Sequence, residues 1–476
     1  MPVLSRPLLL PKIEIPARTA RIAAETDVLV VGGGPAGIGA AMGAAQAGAE
    51  VILVERYGFL GGNATAALVM PLMSFHTQHP AKEKAGVATL LPTDHGPGDP
   101  VIAGTVADFL QRLIAAGGAI SPSLETGYVV PFDPEIFKFI ALEMLDQAGV
   151  QFLFHALATD VIGDSNLDGV VFETKSGPLV IKARIFIDCT GDGDIAAHAG
   201  APFTIGREDD NLVQPMTLMC RMVDFERSAF ENYVREHPDQ WRGVHGLWDL
   251  VKKATESGEL DLPREEALFF ATPHEREIAV NMTRITRVWG TDVWDLAYAE
   301  WEGRRQLRQI MAFFRHYVPG FEKAYAVQTG TTVGVRETRR IQGEYELTVD
   351  DVLQARKFDD AIARSTYPVD IHNPTGPGTV LKRLPPGEFY DIPLRCLIPQ
   401  QVEGILVAGR CISGTHEALS SYRVMPIAMA TGQGAGVCAA LAAHKRLVPR
   451  DVPAKEVQNE LIRQRASLGK PPGKAR

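Results

Sequence analysis

Residues Gly32-Gly33-Gly34-Pro35-Ala36-Gly37 satisfy the G-x-G-x-x-G spacing, and a carboxylate follows at Glu55. The chemistry this set can perform is the grip on a dinucleotide. Gly32 permits a tight turn, Gly34 leaves no side chain between backbone and diphosphate, and Gly37 lets a helix pack closely on a strand. A helix opening at Pro35 and Ala36 offers uncovered N–H groups and the positive end of its dipole to the phosphates. A carboxylate at Glu55 can accept hydrogen bonds from both ribose hydroxyls and would repel a 2′-phosphate. Glycines can also cluster in a loop by chance, so the surrounding elements decide.

Those elements are the required ones. Val28–Val31 is a short continuous apolar run, as expected for a strand buried on both faces of a parallel sheet. The Ala-rich stretch 36–47 ends at Gly48, a natural helix stop, and Val51–Val54 forms a second strand ending at Glu55. Residues 104–117 and 134–148 have helical apolar spacing. Between 151 and 188 come four short apolar runs separated by Gly, Asp, Asn and Ser, a β-rich excursion that returns to the main sheet. All the tryptophans fall in 205–385, together with the long helical segments 225–257 and 293–317. From Gly404 a strand, a Gly-rich turn and a small-residue helix near 426–443 follow. This divides the chain into an N-terminal arm (1–26), a nucleotide-binding first part (27–204), an inserted region (205–385), a nucleotide-binding second part (386–445) and a tail (446–476).

Three further segments carry a resemblance. Arg56-Tyr-Gly-Phe-Leu-Gly61-Gly62-Asn63-Ala64-Thr65 resembles the arginine and double-glycine loop of the glutathione-reductase-like FAD-binding superfamily. Ile185-Phe-Ile-Asp-Cys-Thr-Gly191 is similar to that superfamily's apolar strand ending in Thr-Gly, and Gly404-Ile-Leu-Val-Ala-Gly-Arg410 to its late strand. The run Ser420–Gly436, with Gly334-Val-Arg-Glu-Thr-Arg-Arg340 and Tyr390–Pro399, looks like the bacterial FAD-dependent oxidoreductase family over about residues 27–445. The resemblance implies an α/β fold: a Rossmann-like FAD-binding domain, its parallel sheet carrying helices on both faces, with an inserted α+β substrate or cap domain. It implies non-covalent FAD, contacted by Gly32, Gly34, Pro35, Ala36, Gly37 and Glu55. Arg56, Gly61, Gly62, Asn63, Ala158, Thr190 and Gly191 continue the expected contacts, and Gly409, Arg410, Arg423, Val424 and Met425 close them.

The small-residue helix supports this independently. Pro426 suits a first helical turn, where a missing N–H costs nothing. That helix start would point positive charge at the N1–C2=O edge of a flavin. No second dinucleotide unit is evident: Gly432-Gln-Gly434-Ala-Gly436 lies inside a helix pattern, and the helix after Gly191-Asp-Gly193 is short. With no Cys-x-x-Cys either, a disulfide reductase is disfavoured.

A flavin enzyme needs a substrate clamp and usually a proton donor or acceptor near the ring. The candidates are His372, in a loop-like stretch, and His416, in the loop after Arg410. Arg336 and Arg423 are candidate contacts to substrate or flavin carbonyl, and Arg339 flanks Glu337 in the same charged patch. Each has a plainer alternative: a hydrogen-bonded surface histidine, or an arginine paired with glutamate. His76, His79 and His95 follow the double-glycine loop, where a covalent flavin link would sit, but nothing requires one. No metal site is expected, because the histidines are dispersed and Asp188, Asp192 and Asp194 are too closely spaced for an EF-hand loop.

A net charge of −9 disfavours nucleic acid or an anionic membrane as partner. No run approaches the roughly 20 apolar residues of a membrane span. The five scattered cysteines argue against a disulfide framework, which with the lack of a leader-like apolar run leads to the expectation of a reducing, cytoplasmic setting. The function expected is hydride transfer between FAD and a small organic substrate, dehydrogenation of a C–OH or C–N bond being favoured. The alternatives are reduction of an activated C=C bond and FAD as a structural ligand without turnover. A flavin monooxygenase is disfavoured because such proteins usually carry Gly-Asp where this chain has Gly409-Arg410. No motif names an electron acceptor, and a homodimer is the general expectation for a soluble enzyme.

Overall fold

The computed structural model describes residues 3, 4, 6, 7, 10–79, 89–91, 98–123, 129–163 and 166–468. The apolar run at Val28–Val31 forms the buried end of a longer strand, β1 (Arg21–Val31). The arm expected through residue 26 therefore ends earlier, because 21–26 pair with Leu179–Ala183 of the main sheet. β2 (Val51–Glu55) and β3 (Gln151–Phe154) extend the sheet in parallel on one side. The excursion supplies β4 (Leu157–Gly163), β5 (Leu167–Thr174) and β6 (Gly177–Asp188), giving the order β3-β2-β1-β6-β5-β4.

The far edge of β6 is shared. Its residues 177–182 pair antiparallel with β5, while Phe186–Asp188 pair in parallel with Ile405–Val407. The late segment thereby enters the sheet beside the glycine turn. Ala408 N donates to Asp188 O at 3.0 Å, and Cys189 N donates to Val31 O at 2.8 Å.

Two helices lock over this sheet, Pro35–Gln46 and Met425–Lys445. A Cβ on Gly39 would collide with the Met429 backbone, and one on Gly432 with the Ala36 backbone. The helices thus touch backbone to backbone, which is why both are built from small residues and buried nearly all round. Met425–Lys445 also corrects one expectation, since it is long and apolar enough to cross a bilayer by length and composition. It lies buried in the protein core, where an apolar helix needs no membrane.

Residues 220–329 build a second sheet, six-stranded and antiparallel, from Cys220–Val223, Trp241–Arg242, His245–Gly246, Ala267–Ala271, Ile278–Val280 and Tyr325–Thr329. It has its own core, in which Phe225, Phe230, Trp241, Phe269, Phe314 and Phe321 pack ring against ring. Val293–Tyr317 is helical as expected, but 225–257 is not one helix. It breaks into Arg227–Glu236 and Trp248–Glu256. Pro238 has no N–H to continue the first, and Trp241, fully buried, pulls the chain into a short hairpin.

A buried ionic network ties the second sheet to the start of the helix Pro134–Gln147. Arg221 donates from Nε and Nη2 to Glu277 at 3.0 and 2.9 Å and reaches Asp133 at 3.4 Å. Asp133 caps the helix Pro134–Gln147 through Glu135 N at 2.6 Å and also meets His274. Arg221→Met would leave two buried carboxylates without their shared cation. A loss of about 3–5 kcal/mol in unfolding free energy is expected by urea denaturation. A loss under about 1 kcal/mol would mean that the network is solvated and carries no weight.

Candidate functional site

A cavity of about 500 Å³ opens where the C-terminal ends of β1, β2 and β6 meet the N-termini of the two locked helices. At one end stands Glu55, buried at the tip of β2. Its Oε2 accepts the Gly33 N–H at 2.6 Å and its Oε1 the Tyr57 N–H at 2.9 Å. Burial raises the Glu55 pKa, against the opposing pull of those two N–H groups and of Arg56. The carboxylate is thus held rigidly at the strand end, and Arg56 and Ala158 border the same region.

Next come the two glycine loops, laid against one another. A Cβ on Gly62 would lie 2.9 Å from Gly34 Cα, whereas a Cβ on Gly34 would meet only Gly62 Cα, at 3.7 Å. Gly61 N donates to Gly33 O at 2.8 Å and fixes this approach. Gly37 does not line the cavity: a Cβ there would collide with Gly32 O, so it serves helix–strand packing. Gly61 also stands behind the lining, while Gly32, Gly34, Pro35, Ala36, Gly62 and Asn63 form part of it. Neither Gly34 nor Val424, the residues that precede the two helices, caps its helix with a side chain, and neither first turn carries an acid. Two positive helix ends therefore face one cavity.

The third wall grows from the end of β6. Asp188, fully buried, accepts Thr190 N and Oγ1 on one oxygen and Ile195 N and Ala196 N on the other. Burial pushes its pKa up to about 6. This bracing presents Thr190, Gly191 and Asp192 to the cavity. Arg410 Nη2 pairs with Asp192 at 2.5 Å, and its Nη1 donates to Val335 O at 2.7 Å. Asn63 Nδ2 reaches the same carbonyl at 3.1 Å. Gly409, Arg423, Val424 and Met425 complete this side.

The opposite end gathers His372, Asp370, Arg336, Arg423 and Tyr367. The stretch holding His372 is not a loop but a strand, Val369–His372, paired with Thr379–Lys382. Alternation along that strand places Asp370 and His372 on one face. His372 Nε2 lies 3.5 Å from Asp370 Oδ2, and Thr379 Oγ1 lies 3.3 Å from Nδ1. Arg423 Nη2 lies 3.7 Å from the same Asp370 oxygen, which also accepts Tyr367 Oη at 3.0 Å. Burial pushes the His372 pKa down to about 3, helped by the nearby Arg336. Burial also pushes Arg336 down to about 9, with Arg423 adding to the effect. For Asp370, burial acts upward, but His372, Arg423 and Tyr367 outweigh it and hold the carboxyl well below its usual range.

His416 is a correction. It opens the helix His416–Tyr422 rather than lying in a loop, and its buried ring gives Nδ1 to Glu337 at 2.8 Å. Glu337 also takes Arg340 Nη1 at 2.6 Å and Gln214 N at 3.0 Å. His416 therefore belongs to a structural ion network that faces a separate depression, away from the cavity. Its place after Gly414 in the chain made it look close to the helix at Met425, but the intervening helix carries it off. Arg339 likewise turns to Asp194 at 2.7 Å. His76 and His79 do not border the cavity, and His95 lies outside the described residues. Among the described residues no cluster of His, Cys, Asp or Glu could hold a metal, and all five cysteines are buried and free.

Asp370, Asp192 and the wall Met219, Leu268 and Phe270 escaped the sequence reading. Only the first had a visible signal, the Asp-x-His spacing on a strand; the wall comes from the second sheet, Leu268 and Phe270 on one strand and Met219 just before another.

The expected cofactor can be tested against these features. FAD needs a fixed carboxylate for its ribose, a passage free of side chains for its diphosphate and a positive helix end beside its flavin. Glu55, the gap between Gly34 and Gly62, and the uncapped start at Met425 fit those needs in that order.

No curated protein matches the chain. Among solved structures, a geranylgeranyl bacteriochlorophyll reductase-like protein from Thermoplasma acidophilum is similar at 14% identity, with a TM-score of 0.43 over 93% of this chain and 84% of that one. A p-nitrophenol 4-monooxygenase from Pseudomonas putida matches at 12% identity, TM-score 0.40, over 93% and 85%. Anhydrotetracycline hydroxylase from Streptomyces rimosus gives 11%, 0.42, 93% and 66%. Values this low carry no reaction from those proteins to this one. The family model for FAD dependent oxidoreductases, by contrast, matches residues 27–461, nearly the whole length over which the cavity is built, and the chain belongs to that family and is an FAD-dependent oxidoreductase.

Proposed function

We propose that the enzyme binds FAD non-covalently and dehydrogenates a C–OH or C–N bond of a small organic substrate, with His372 receiving the proton. The observation that carries this reading is the state of His372. It borders the cavity, and Asp370 stands behind it, placed to stabilise the imidazolium that forms when the ring accepts a proton. Burial keeps the ring neutral at rest, so it is not poised as the donor that reduction of C=C requires, and Asp370 beside it offsets the charge it gains on accepting the proton of an alcohol or amine. Bound FAD supplies the acceptor for the hydride that leaves carbon. The O–H or N–H proton passes to the imidazole, whose Nε2 faces Asp370 and whose Nδ1 faces Thr379 Oγ1, and the C–O or C–N bond becomes double. Arg336 and Arg423, which both line the cavity near His372, orient the substrate, and the buried setting keeps water from competing.

Anaerobic mixing with a panel of alcohols, hydroxy acids and amines tests this. Bleaching of the flavin band near roughly 450 nm by at least one of them is expected. If none bleaches it while dithionite does, and the reduced enzyme is reoxidised by an enone, the direction proposed here is wrong. Acid precipitation should release the yellow colour to the supernatant. Colour kept in the pellet would mean a covalent link and overturn the non-covalent reading.

A further inference from the structure

We propose that the substrate is a carboxylic acid oxidised at the carbon next to its carboxylate, a 2-hydroxy or 2-amino acid, with the carboxylate received by Arg336 and Arg423. The inference takes the dehydrogenation of the preceding subsection as its reaction: the hydride leaves carbon 2, the O–H or N–H proton goes to His372, and a 2-oxo or 2-imino acid results. The anion site itself stands on a separate observation.

Arg336 and Arg423 line the His372 end of the cavity, and Arg264 and Arg284, which do not line it, act electrostatically on Arg336 from behind. Only Arg423 has a carboxylate at ion-pair distance, Asp370 at 3.7 Å. Among the described residues the other three make no ion pair, and Glu266 acts on Arg264 only from farther away. Their hydrogen bonds go to backbone carbonyls instead. Arg336 Nη1 donates to Pro215 O at 2.6 Å and Arg284 Nη2 to Gly378 O at 2.8 Å. Arg264 Nε donates to Met282 O at 3.2 Å. Carbonyls solvate a cation but do not neutralise it, and His372 adds no compensating charge. Asp370 also acts on Arg336 and Arg284 from beyond ion-pair distance, so one carboxylate is shared among three of the four arginines, and the excess positive charge is costly unless something else offsets it. Arg284 Nε and Arg423 Nε are moreover buried with no hydrogen-bond partner. A site with this excess of positive charge, open to a cavity through Arg336 and Arg423, is built for an anion.

The position of the oxidised carbon follows from the sharing of Asp370. The His372 imidazole and the Arg423 guanidinium approach the same oxygen, at 3.5 and 3.7 Å. The proton acceptor and the anion receiver are therefore neighbours, and a molecule engaging both must carry its hydroxyl or amine beside its carboxylate. The apolar wall of Met219, Leu268 and Phe270 leaves room for an apolar remainder.

The test uses the FAD-loaded enzyme at constant ionic strength and follows perturbation of the flavin band by propionate and by propionamide. These probes have nearly the same shape, differ in charge and cannot be oxidised at a hydroxyl. Propionate is expected to bind about tenfold or more tighter than propionamide. Arg336→Met should erase that preference while keeping the flavin, and Asp370→Asn, which removes the competing carboxylate, should tighten propionate binding several-fold. Equal binding of the two probes, or a preference unchanged in Arg336→Met, would overturn the inference. Should Arg336→Met lose its flavin, the wild-type comparison and the Asp370→Asn arm decide. An enzyme that selects propionate yet is bleached by no alcohol or amine keeps the anion site and loses the dehydrogenase reading. Bleaching by neutral alcohols with no preference for the anion does the reverse.

Discussion

Gly34→Ala is expected to purify as a folded protein of nearly unchanged thermal stability that has lost about tenfold or more of its affinity for FAD, some 1.4 kcal/mol. Gly34 sits at φ −73° and ψ −175°, an extended conformation that alanine adopts without strain. Its added Cβ would touch only Gly62 Cα, at 3.7 Å, an ordinary contact. The protein therefore has no need of a glycine there for its own packing, and at the residue before a helix the exchange costs about 0.5 kcal/mol. What needs the space is a ligand running between the two glycine loops. Gly37→Ala is the control with the opposite signature. Its Cβ would collide with Gly32 O, so stability and cofactor should fail together. Titration of apo-protein with FAD, alongside thermal melts of both variants, separates the two effects. Wild-type FAD affinity in Gly34→Ala would show that the diphosphate does not pass this residue.

His372→Gln is expected to keep its flavin and lose turnover by about 10²–10⁴-fold. A glutamine preserves polarity near Asp370 but cannot carry a proton through a catalytic cycle. The pH dependence gives a second readout. With the His372 pKa near 3 in the folded protein, kcat/KM should show no acid limb in the ordinary histidine range near 6.5. The stability consequence has a definite sign. The folded pKa lies below the unfolded one, so on acidification the unfolded chain binds the proton first. Stability is full above about 6.5 and falls as pH drops from there towards 3. Asp370 acts in a lower window, because its carboxyl is held below the usual range and its contribution is lost only on more acidic titration. Between about pH 4 and 6.5, then, wild type should lose stability faster than His372→Gln, by a few kcal/mol at most. Parallel denaturation curves across that window would place His372 in a solvated position and overturn the lowered pKa.

The nucleotide half of this protein is legible in its sequence because its geometry is local. A buried strand, a turn of glycines, a helix start and a strand-end carboxylate lie within the stretch from Val28 to Glu55, and each is dictated by backbone conformation or by the absence of a side chain. The helix at Met425–Lys445 is legible for the same reason: a proline in its first turn, then small residues whose only use is close backbone contact. The antiparallel hairpin inside 225–257 was not, since a single buried Trp241 and one proline override a helical pattern that continues on both sides.

The reacting end was decided by tertiary structure. Arg264 precedes the strand Ala267–Ala271 of the second sheet, Arg284 follows its strand Ile278–Val280, Arg336 lies before the strand Arg339–Ile341, His372 comes from a hairpin and Arg423 from the turn before the last long helix. Nothing in their spacing marks them as one cluster, because charges in a cavity are brought together by sheets that meet, not by chain order. The same fact removed His416, which sequence proximity had placed at the flavin edge and which packing assigns to Glu337. Motifs read from neighbouring residues identified the cofactor; the proton acceptor and the charge of the substrate site depend on contacts between residues far apart, and those exist only once the two cores have packed.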